Sequence, residues 1–83
     1  MGIFKDAKVG SIVQEAEKAA AAGRGVFTPK LNTPASQHGL SGDIADWGLM
    51  IDGIEGAGWT LAHWTVGMDT KGRAEAYPLF RRA

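Results

Sequence analysis

Two histidines, His38 and His63, are the natural starting points for metal or acid–base chemistry. Neither has a histidine four residues away, and the chain has no cysteine. A zinc site needs several converging ligands, so no metal is expected. His63 is expected to be a semi-buried or interface side chain, and His38, in a Gly/Ser stretch, to be solvated. Serine, histidine and aspartate all occur, but without a Gly-x-Ser-x-Gly elbow or a local acid–base pair. An N-terminal proline base is excluded because Gly2 follows Met1. Asp43, Asp46, Asp52 and Glu55 crowd one segment, yet at helical spacing they spread around it and do not converge. With no activated nucleophile or convergent pair, a non-enzyme without a cofactor is expected.

Lys71, Arg73, Arg81 and Arg82 are interleaved with Trp64, Tyr77 and Phe80. Aromatics beside cations can stack bases and pair phosphates. The competing reading places the aromatics in the core and the arginines in solvent at strand ends. Nine acids balance nine bases, which argues against nucleic acid or an anionic membrane as partner. What survives is a narrower alternative. Trp64, Arg73, Arg81 and Arg82 could hold a nucleotide or a phosphorylated metabolite.

These residues depend on the elements that carry them. Eighty-three residues bury roughly 60–65% of their unfolded surface, and no disulfide can supplement that core. No apolar run approaches the ~18 residues needed to span a bilayer, and no leader pattern opens the chain. Met1-Gly2 resembles an acylation site, but Asp6 stands where Ser or Thr is required. A soluble, cytoplasmic protein is expected.

The chain divides into residues 1–25, an arm and an alanine-rich helix, and residues 26–83. Val9, Ile12, Val13, Ala16 and Ala20 share a stripe at about 100° per residue. Ser11 and Gln14 have capping-box spacing, which predicts a helix from Ser11 to Gly23 or Gly25. Val26 to Leu31 reads as a short strand that Pro29 should weaken. Asn32 to Gly42 has loop composition. A second helix is predicted from about Asp43 to Ala57, capped by Ser41 or Asp43, with Ile44, Trp47, Ile51 and Ile54 as its apolar stripe. Gly58 should stop it. Trp59–Met68 and Ala74–Arg82 read as a hairpin around Asp69-Thr70-Lys71-Gly72.

If Asp69 pairs with Arg73, one face carries Ala62, Trp64, Val66 and Met68. The other carries Leu61, His63, Thr65, Tyr77 and Leu79, and a one-residue bulge would exchange the sets. Pro78 suggests a free edge on the last strand. Both faces hold apolar residues, so Leu61, His63, Tyr77 and Leu79 form a candidate interface. The back of the second helix, Ala45, Leu49, Gly53 and Gly56, is a second candidate. It could receive the chain's own first helix or that of another copy.

Gly58-Trp59-Thr60-Leu61 after an amphipathic helix, with a closing Leu79-Phe80-Arg81-Arg82, resembles a family of small bacterial domains of unknown function. Its members have a strand, a helix ending in Gly-Trp-x-Leu, and a hairpin ending in Phe-Lys/Arg-Arg. The likeness covers roughly residues 26–82; Pro29 and the long loop before Ser41 depart from it. It implies a β-α-β-β layer and carries over no catalytic residue. The sequence thus reads as α+β, a β-α-β-β layer preceded by an alanine-rich helix. It is expected to work by interaction and assembly, with itself as partner and a dimer as the expected state.

Overall fold

A computed structural model describes residues 3–34, 39 and 41–83. His38 lies outside them. The described chain forms two helices and two small antiparallel sheets. In order these are α1 (Ile3–Ala21), β1 (Val26–Phe27), β2 (Leu31–Asn32), α2 (Ala45–Gly56), β3 (Trp59–His63), β4 (Val66–Met68), β5 (Ala74–Ala76) and β6 (Leu79–Arg82).

The first helix begins at Ile3, well before the predicted Ser11. Gly10 sits inside it with open space where a Cβ would be. Its cost of roughly 1 kcal/mol relative to alanine does not break a run rich in Lys and Ala. The end is better marked. Gly23 has φ 75°, its N–H donates to Ala20 O, and Arg24 N–H donates to Ala19 O. That pair of bonds is a Schellman stop.

In α2 the expected cap by Ser41 or Asp43 is not made. Ile44 occupies the N-cap position with no side-chain bond, and its carbonyl accepts from Trp47 and Gly48 N–H. The helix ends as predicted, with Gly58 at φ 100°. Trp47 and Ile54 are buried, Ile44 and Ile51 half-buried. Met50, which the stripe did not include, is also buried.

Sheet order is β1-β6-β3 and β2-β5-β4. Each of three chain segments breaks once and contributes a piece to both sheets. The last segment is therefore central in each, which corrects the expectation of a free edge there. Pro78 marks the break between β5 and β6, where no ladder donor is needed, and it is fully buried.

The turn pairs Asp69 with Arg73 as expected, through Asp69 N–H to Arg73 O at 2.8 Å. Val66↔Ala76 and Met68↔Ala74 follow in register. Between Leu61 and His63 the register shifts, so that Leu61 faces Phe80 and His63 faces Leu79. The bulge turns Leu61 to the side of Phe80 and Phe27, toward the helices.

Both helices cover that same side. Ala16 and Ala19 of α1 pack with Phe27, Ile54, Trp59 and Phe80, and Ile12, Ile51 and Leu61 border them. Leu31, Trp47, Met50 and Ala76 form the adjoining cluster. Two indoles anchor the layers. Trp59 Nε1 donates to Ala16 O at 3.0 Å, and Trp47 Nε1 donates to Asn32 O at 2.8 Å. Burying an indole this way leaves no polar group unpaired.

Candidate interaction surface

By register, the side of the sheets away from the helices carries Val26, Thr60, His63, Leu79 and Arg81 in one sheet, and Asn32, Gly67 and Glu75 in the other. Strand alternation adds Tyr77. No described helix covers this side. His63 is exposed, Leu79 and Val26 are half-buried, and Tyr77 is 39% exposed. Three of the four residues expected at an interface thus share an uncovered face. Leu61 does not join them: the bulge directs it to the first core cluster.

The polar centre of this face escaped the sequence reading. Glu75 is buried although it stands on the uncovered side. Its Oε1 accepts from the Tyr77 hydroxyl at 2.6 Å, and its Oε2 lies 3.4 Å from Lys30 Nζ. The Tyr77 ring folds over Gly67, where a Cβ would come within 3.0 Å of Tyr77 Cε2. The only available signal was Glu75 and Tyr77 two residues apart on one strand face. The hydroxyl's bond to Glu75 raises the Tyr77 pKa above its ordinary value, helped by burial and by the carboxylate's charge. A phenol held in its neutral form is a poor nucleophile or base at neutral pH. Chemically the trio is a fixed polar patch that orients an aromatic ring.

The other candidates are dispersed. Gly53 meets α1: a Cβ there would lie 2.5 Å from Val13 Cγ2. The chain's own helix therefore occupies that point. Ala45 and Gly56 are exposed, and Leu49 is 45% exposed; nothing in the structure explains Gly48 or Gly56.

Two of the three arginines proposed for a ligand are engaged by the chain itself. Arg73 Nε donates to Asp69 Oδ2 at 2.6 Å, and Asp69 Oδ1 accepts the Lys71 and Arg73 N–H groups. These bonds, the Arg73 backbone first among them, hold the Asp69 pKa below its ordinary value. Arg82 donates to Arg24 O and Ala20 O at 2.9 and 3.0 Å, and its guanidinium lies 5.4 Å from the Trp59 ring centroid. It closes the carbonyl end of α1, where a cation is favoured. Arg81 is exposed on the uncovered face. Trp64 stands on the helix side, edge-on to Trp47 at 5.3 Å and 42% exposed. The four do not converge.

Among the described residues no group of three or more His, Asp or Glu side chains could hold a metal. No described helix is long and apolar enough to cross a membrane. No family model matches the chain, and neither a curated protein nor a solved structure does.

Proposed function

We propose that this is a small non-enzymatic assembly protein that associates with copies of itself through the uncovered side of its sheets. The observation that carries this reading is the placement of both helices on one side. Leu79, Val26, Tyr77 and His63 are left on the other with no described element over them. Apolar surface beyond a few hundred Å² is uncommon on a monomer. The chain's formal neutrality adds little repulsion between copies. We also read the element order after α1 as a β-α-β-β layer, the layout that the family resemblance implies. The small-ligand alternative draws less support, because Arg73 and Arg82 are already held by Asp69 and by the end of α1.

Light scattering on Leu79→Glu tests the reading. A carboxylate placed in an apolar contact leaves an uncompensated buried charge. The mass should fall by half relative to the unmodified protein while the circular dichroism spectrum is retained. An unchanged mass would remove Leu79 from the contact.

A further inference from the structure

β4 lies at the margin of its sheet. Which way its backbone points follows from two bonds. Asp69 N–H donates to Arg73 O, and Tyr77 N–H donates to Thr65 O, both at 2.8 Å. Thr65 and Asp69 therefore turn their backbone inward to the neighbouring strand, and alternation places Gly67 with them. The N–H and C=O groups of Val66 and Met68 then point outward. No described strand pairs with them there.

Edges are ordinarily protected by charge, proline or a covering group. The rest of this fold follows that practice. On β3, Leu61 N–H donates to the Glu55 carboxylate at 3.3 Å. On the opposite margin Pro29, with no N–H, and charged Lys30 separate β1 from β2. Val66-Gly67-Met68 has no such device. Its side chains are apolar and open, Val66 at 53% and Met68 at 72% exposure.

We propose that β4 pairs antiparallel with β4 of a second copy about a two-fold axis at Gly67. This contact lies beyond the face described above and rests on the same reading of self-association. Three features select a second copy. A two-fold places Val66 of one chain opposite Met68 of the other, so the outward N–H and C=O groups satisfy one another reciprocally. It also sets any charge on the strand near its own counterpart, and β4 carries none. Finally, the strands meet at Gly67 against Gly67, a non-hydrogen-bonded position where Cα atoms approach to about 4.5 Å. On the uncovered face, the space a side chain would take there is filled by the chain's own Tyr77 ring. Tyr77, folded over Gly67 in each copy, flanks the crossing.

Amide hydrogen exchange followed across protein concentration, with light scattering, tests the proposal. Exchange at Val66 and Met68 should slow as concentration rises. Met68→Lys supplies the missing charge, and Met68→Pro removes an outward N–H that the fold does not use. Each should halve the mass and abolish the concentration-dependent protection, with the circular dichroism spectrum retained. The face contact and the edge contact use different residues and together build an assembly of four chains, so Leu79→Glu should leave a two-chain species in which that protection remains. If both Met68 variants keep the mass of the unmodified protein, or if the Val66 and Met68 amides exchange equally fast at every concentration, the edge pairing is overturned while self-association stands. A monomeric mass for the unmodified protein would overturn both.

Discussion

The two ends of the one hairpin are finished differently. At the end formed by β3 and β6, Trp59, Phe80 and Ile54 are sealed at 1%, 0% and 0% exposure. Arg82 bridges to α1, and Glu55 occupies the edge N–H of Leu61. At the turn end, β4 and β5 still pair in register, yet Val66 and Met68 are more than half open to solvent and Trp64 is 42% exposed. The α-helical cover reaches Trp64 through Trp47 and stops short of Val66 and Met68. The β3–β6 end is closed over by both helices, whereas the apolar surface left open lies on β4 and on the uncovered face.

The sharpest way to break this contrast is Trp59→Ala. Removing a buried indole costs about 3–5 kcal/mol, and here the bond to Ala16 O goes with it. Chemical denaturation should show the loss of most of the stability of so small a domain. A protein that stays fully folded but loses self-association would place Trp59 in the interaction surface instead. Gly53→Ala should act at the same end with smaller effect. Alanine gains roughly 1 kcal/mol in helix propensity, but overpacking against the stiff Val13 side chain costs about 1–3 kcal/mol. A net loss of about 1 kcal/mol in denaturation is expected, and a gain in stability would mean that α1 is not held against Gly53.

Much of the β3–β6 end was legible in the sequence. Gly23 and Gly58 stop their helices because each needs a positive φ, and the Gly-Trp boundary placed Trp59 where β3 begins. Asp69 to Gly72 fixed the turn and the register nearest it. The bulge between Leu61 and His63 was not legible, since it is decided by which side chain the core needs beside Phe80. Pro78 was misread for a related reason: a proline is tolerated wherever a strand breaks, and here the break lies in the middle of the sheets, not at a margin. The Ser11 capping signal was overridden because a helix already running from Ile3 has no orphan donors there to cap. Of the candidate surface, His63, Tyr77 and Leu79 were found by alternation, whereas Glu75 was missed because its partner Lys30 comes from the break between β1 and β2, far away in the chain.

A smaller effect sharpens the picture of the uncovered face. Tyr77 is the only tyrosine, so its ionisation can be followed by ultraviolet absorbance. The midpoint should lie above the ordinary value of about 10, and Glu75→Gln should bring it back down. Because the folded pKa is the higher one, the contribution of this bond to stability is fully present below pH of about 10 and is lost as pH rises through the folded value. A midpoint at the ordinary value in the unmodified protein would mean that the hydroxyl does not rest on Glu75 in solution.

The division between a sealed end and an open surface is tested most directly by the mass of the unmodified protein in solution. Light scattering across the micromolar range should give at least twice the 8.8 kDa of a single chain. A mass of one chain throughout that range would contradict the account, leaving the open surface without a role in self-assembly.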